Sequence, residues 1–199
     1  MQSLNEIGRR NRYFSGQIPP RNIDLRNLPG GPKWNAWGTC SNDSSGNSCT
    51  YVSLKQRIPA YSNYAFSISL GAREFKDLGG KLRTLSSESS LNDEHVLDLL
   101  QYVSPPSPPV DAQLKMILFA GGVLTSPNYS GPPFELLIAR FYVNELNFST
   151  KEITNALQAK DVERAIAAWE FGRDSWNSYF TIVNKAIVPK VGDKFSMIE

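Results

Sequence analysis

The sequence predicts an all-α fold: an up-and-down four-helix bundle with extra short helices, preceded by a long extended amino-terminal arm. Three observations predict it. Apolar residues recur at three- and four-residue spacing from Tyr61 almost to Ile187, the period of a helix with one buried face. No stretch alternates as a half-buried strand does, and no internal repeat appears. Residues 1–56 show neither period, and their charge differs in sign from the rest: net +4 in the first 56 residues and −2 in the remaining 143.

The arm comes first. Pro19-Pro20, Pro29-Gly30-Gly31-Pro32 and the polar run Ser41 to Ser48 break any regular element there. The bundle is expected over 57–188. Tyr61, Tyr64, Ala65, Ile68, Ala72, Phe75, Leu78 and Leu82 form one stripe over about six turns, with fraying expected at Gly79-Gly80 because glycine lowers helix stability. A shorter helix follows from Asp93 to Val103, stopped by Pro105-Pro106 and Pro108-Pro109. A third runs from Val110 to Leu124. A fourth begins at Pro132-Pro133, where proline suits a first turn, and continues through Leu146.

Ser149-Thr150-Lys151-Glu152 matches a capping box, so a separate short helix to Gln158 is expected. The last helix carries Val162, Ala165, Ile166, Trp169, Gly172, Trp176, Tyr179, Phe180, Val183 and Ile187, and Pro189 ends it. Residues 189–199 read as a polar tail.

Composition narrows the function. The net charge of +2 argues against a protein that blankets nucleic-acid phosphates. One histidine and two cysteines exclude a His cluster, a Cys/His zinc site or an iron–sulfur cage. The longest apolar stretch, Met116 to Leu124, falls short of the roughly 20 residues a spanning helix needs. The first residues have arginines but no apolar segment behind them, so a secretory signal is not expected within this chain.

Candidate chemistry is sparse. His95 stands near Glu94 and Asp98, too few groups for a metal or an acid–base site, and reads as a surface histidine. Cys40 and Cys49 flank a Ser/Asn/Gly loop. A disulfide there would contribute roughly 2–3 kcal/mol in an oxidising compartment; two free thiols are the alternative. The N-x-S/T tripeptides at Asn42, Asn128 and Asn147 carry little weight. No nucleophile elbow, P-loop, dinucleotide fingerprint or H-E-x-x-H is present. In the arm, Arg9, Arg10, Arg12, Arg21, Arg26 and Lys33 with Trp34 and Trp37 fit docking on an acidic protein surface better than binding nucleic acid. The aromatic stripe Trp169, Trp176, Tyr179, Phe180 reads as bundle core before any pigment or cofactor box.

The segment Ala156 to Phe180 resembles the last helix of the PsbQ-like extrinsic proteins of photosystem II, including the red-lineage forms of diatoms and their relatives. In that family a short helix leads into a long one carrying W-x-x-G-[KR]-[DE]-x-x-N-x-[YF]. Here Trp169, Gly172, Arg173, Asp174, Asn177 and Tyr179 stand at those positions, with Trp176 between them. The likeness is strong over residues 150–187 and loose over the bundle before them; the arm with Cys40 and Cys49 departs from it.

The resemblance implies a bundle of the chloroplast thylakoid lumen, peripheral to the membrane, with neither catalytic residues nor a cofactor of its own. Its partners would be subunits of a photosystem, with lipid or pigment contact at the interface and no nucleic acid. Residues 1–56 are then expected to thread along neighbouring subunits. The rival from another class is a helical enzyme or small-ligand carrier with a pocket lined by Tyr142, Trp169 and Trp176.

Overall fold

The computed structural model describes residues 52–87, 92–125 and 134–199. Residues 1–51, with Arg9, Arg10, Arg12, Arg21, Arg26, Lys33, Trp34, Trp37, Cys40 and Cys49, lie outside the described residues. The described residues are mostly helical, with no strand among them. The elements are α1 (Leu54–Ser87), α2 (Asp93–Val103), α3 (Pro108–Leu124), α4 (Phe134–Gln158) and α5 (Val162–Val183).

Four long helices pack up-down-up-down, and α2, which lies in the connection from α1 to α3, packs on α4 and on both of those helices. Small residues let α1 and α3 approach: Ala60 meets Gly122, and Gly71 meets Ala112 and the Pro108 carbonyl. Those two contacts, 11 and about 10 residues apart in opposite directions, make the pair antiparallel. Helices α4 and α5 run antiparallel too, with Ser149 opposite Ala168 and Glu152 opposite Arg164. Helix α5 closes the ring on α1, since Trp169 reaches Phe75 while Arg57 reaches Ala186. Helices α1 and α4 occupy one diagonal and do not pack on each other. Between them sits a continuous core that includes Ile68, Phe75, Leu78, Met116, Phe119, Leu146, Trp169, Trp176 and Phe180, all essentially solvent-free.

Several expectations need correction. Helix α1 does not fray at Gly79-Gly80; it continues to Ser87, because Leu78 and Leu82 are both fully buried and hold that turn. It also begins at Leu54 with Val52 buried, so the folded unit takes in residues assigned to the arm. The capping box at Ser149 starts no helix. The stripe Leu136, Ala139, Val143, Leu146, Ile153, Leu157 stays in phase through it, and burying that stripe keeps α4 continuous. Freed from capping, the Ser149 hydroxyl donates to the Ala168 carbonyl across the helix pair at 2.7 Å. Thr150 donates to the Leu146 carbonyl and accepts from Gln113, whose own carbonyl oxygen accepts from Asn147.

The chain turns out of α4 at Lys160, whose φ of 57° lies in the left-handed region. The Asp161 amide bonds the Ala156 carbonyl and the Lys160 amide bonds the Leu157 carbonyl, the two bonds of a Schellman stop. Asp161 then caps α5 by accepting from the Arg164 amide. That helix ends at Val183, earlier than the Ile187 its stripe suggests, because residues 184–186 tighten into turns. The tail is not simply polar. Val191, Phe195 and Ile198 are buried, and the segment folds back along α5.

Candidate functional site

The W-x-x-G-R-D-x-x-N-x-Y run occupies the middle of α5, and the helical period splits it between two duties. Trp169 enters the seam between α5 and α1. Its indole Nε1 donates to the Phe75 carbonyl at 2.6 Å, and its ring stacks on Phe75 with centroids 6.0 Å apart. The ring lies over Gly79: a Cβ added there would meet it at 2.2 Å, so α1 needs a residue without a side chain at that level. Arg83 from α1 and Arg173 from α5 place their guanidinium carbons 4.7 and 5.5 Å from the same ring centroid. A long helical side chain leans toward its own amino terminus, so in this antiparallel pair the two cations arrive from opposite ends. Arg173 also pairs with Asp174 at 3.1 Å.

Gly172 sits where Ser149 and Phe75 leave no room for a larger residue. Trp176 is fully buried against Phe75 and Phe180, but its Nε1 finds no acceptor. Tyr179 donates its hydroxyl to the Met116 carbonyl at 2.7 Å, and burial pushes its phenol well above the ordinary range. These residues lock α5 to α1, α3 and α4.

Asn177 has the second duty. Its side-chain amide donates to the Ile198 carbonyl and accepts from the Ile198 amide, both at 2.8 Å. Asn184, two turns on, does the same to Phe195 at 2.9 and 2.8 Å. Tyr61 completes the hold: its hydroxyl donates to the Asp193 carbonyl and accepts from the Asp193 amide. Gly192 passes so close to the Tyr61 ring that a Cβ would meet it at 2.2 Å.

His95 is not the exposed histidine expected. It is half-buried in an open groove of about 740 Å³ between α1 and α2, with Lys76, Lys81, Asp98 and Tyr102 among its walls. Asp98 is committed to Lys81 at 2.6 Å, and that hydrogen bond, followed by one that Lys81 donates to Tyr102, raises the Lys81 ammonium above its ordinary value. Glu94 is exposed and outside the groove wall. The three residues therefore make no acid–base pair. Among the described residues no group of His, Cys, Asp or Glu converges as metal ligands would.

Smaller grooves of about 240 and 420 Å³ lie along α4 and beside Pro105-Pro106. Trp169 and Trp176 line none of these three; both are packed solid, and only Tyr142 of the proposed pocket is part-exposed. Asn147 lies inside α4 with its side-chain amide donated to Gln113, unlike the surface loop in which a glycosylation acceptor is expected.

Arg83, Tyr61, Asn184 and the tail are what sequence reasoning missed. Two signals stood in the chain: asparagines seven apart on one helical face, and an aromatic followed three positions later by an aliphatic in the tail. Compared with protein-family models, curated proteins and solved structures, the chain finds no match in any of the three.

Proposed function

We propose that this chain is a non-enzymatic extrinsic subunit docked on the lumenal side of a photosystem, photosystem II in the first instance, where it stabilises the oxygen-evolving assembly. One observation carries the proposal: most of the run that resembles the PsbQ-like last helix is spent on holding helices and chain together. Trp169, Gly172, Trp176 and Tyr179 pack or bond between helices, and Asn177 clamps the tail. Residues used this way suit a scaffold subunit. No helix among the described residues is long and apolar enough to cross a membrane, which agrees with peripheral attachment. On this proposal the lumen of the thylakoid is the compartment, and the arm's Arg9, Arg10, Arg12, Arg21, Arg26, Lys33, Trp34 and Trp37 contact the neighbouring subunits. A lumenal site on photosystem I or its antenna is the nearest variant.

Salt washing of thylakoid or photosystem particles tests it, since contacts made by exposed charges weaken as ionic strength rises. Release of this protein into the wash together with loss of oxygen evolution is the expected result. Retention with another complex would move the address. Absence from the membranes would remove the proposal and make a soluble carrier or enzyme the leading alternative.

A further inference from the structure

The segment 193–199 lies on the bundle as a bound peptide lies in a receptor. Of its side chains only Phe195 and Ile198 are buried; Asp193, Lys194, Ser196, Met197 and Glu199 face solvent. Phe195 fills a slot made by Phe180, stacked at 5.0 Å, Phe119, edge-on at 5.4 Å, and Tyr61 at 6.4 Å. The polar contacts read the main chain and not the side chains. Asn184 takes both backbone groups of Phe195, and Asn177 takes both of Ile198.

The spacing fits for a physical reason. Seven residues of α-helix return to the same face after a rise of about 10.5 Å. Three steps of extended chain, from residue i to i+3, bring the side chain back to the same side when it winds with a threefold repeat and cover about 9–10 Å. Asn177 and Asn184 are therefore two rungs at the pitch of an extended peptide running antiparallel to α5.

From this we infer that the face of α5 bearing Asn177 and Asn184, with the Tyr61–Phe119–Phe180 slot, is a binding site for extended peptides, occupied here by the chain's own residues 193–199. Its ligand is an extended segment of a partner protein with an aromatic residue followed three positions later by an aliphatic one. The tail seated on it supplies that pattern, and the two asparagines, bonding only backbone, leave the intervening residues free. The inference stands independently of the photosystem proposal.

The test uses the full chain with its tail expelled by Phe195→Asp and Ile198→Asp. A labelled synthetic copy of residues 190–199 is titrated against that variant and against the unaltered chain, read by fluorescence anisotropy. Saturable binding at least tenfold tighter to the variant is expected. Adding Asn177→Ala and Asn184→Ala should weaken it at least tenfold again, and a scrambled peptide should not bind. Equal binding of the scrambled peptide, or no binding to a variant with intact helical circular dichroism, overturns the inference. Loss of helical signal in the variant also overturns it, because the tail would then be an indivisible part of the core. Concentration-dependent dimers of the unaltered chain that vanish in the variant would make a second copy's tail the occupant and overturn the partner assignment.

Discussion

The two halves of α5 close the same seam in different ways. Toward its amino end the gap against α1 is filled from within the helix pair: Trp169 spans it, Gly79 makes room, and Arg83 and Arg173 cover the ring. Toward its carboxyl end the gap is filled by a separate piece of chain, 193–198, held by Tyr61, Asn177 and Asn184. The first closure belongs to the cooperative core, since no part of it can leave without unpacking both helices. The second is attached through a few main-chain hydrogen bonds and two buried side chains, so on the inference above it is the part expected to open locally while the bundle stays folded. One helix would then combine a permanent joint with a separable one.

The largest expected effect strikes the permanent joint. Trp169→Ala removes a fully buried indole and should lower stability by roughly 3–5 kcal/mol in denaturant unfolding. An unchanged midpoint would break the comparison by showing that the seam does not rest on this ring. Gly79→Ala forces a methyl into the same ring and should cost about 1–3 kcal/mol. The control is Gly80→Ala, where a Cβ meets nothing within 4 Å.

At the separable joint, Asn177→Ala and Asn184→Ala each strip two hydrogen bonds from the tail, at about 1–3 kcal/mol apiece. The distinguishing measurement is hydrogen exchange. The amides of Phe195 and Ile198 should lose protection while α1 and α5 keep theirs; loss of protection throughout would merge the two closures into one. Trp176→Phe should cost less than Trp169→Phe, since both leave a cavity of similar size but the indole N–H removed from Trp176 has no acceptor. A greater loss than that of Trp169→Phe would point to a partner for that N–H.

The smallest effect concerns the tie between Lys160 and Asp93 at 2.7 Å, away from both joints. Its hydrogen bond to Lys160 holds the Asp93 carboxyl below its ordinary value of 3.8. A depressed folded value means that the contribution is present above pH 3.8 and fades as pH falls through the folded value. Acidification below that point should therefore loosen the start of α2 before the α1–α5 seam, seen as earlier amide exchange at residues 93–96. Simultaneous loosening of both would overturn that order.

The helices were legible because burial imposes a period. The stripes through Ile68, Phe75 and Leu82, and through Trp169, Trp176 and Phe180, name the inward faces before any coordinates. The same stripes also explain the errors. Ser149 and Glu152 have the side chains of a capping box, but the local pattern does not record that Leu146 and Ile153 on either side are both solvent-free. Burial across that junction outweighs a cap of about 1 kcal/mol. His95 was misplaced because its exposure depends on how α2 crosses α1, which its neighbours in sequence do not encode. The tail was misread because only two of its last five residues, Phe195 and Ile198, face inward, and a count of polar residues hides them.

What the sequence by itself determined is the helical class, the inward face of each long helix and the position of the Trp169-to-Tyr179 run on the last of them. These follow from interactions within a few turns, where a 3.6-residue period leaves no choice of face. Tertiary structure alone decided that α4 runs unbroken past Ser149, that Gly79 exists to admit Trp169, and that Asn177 and Asn184 grip the main chain at Ile198 and Phe195. Each depends on a partner from 11 to 90 residues away or on burial that the whole bundle creates. Such contacts form only once the chain has brought distant groups together, so a local pattern can mark a residue without naming its partner.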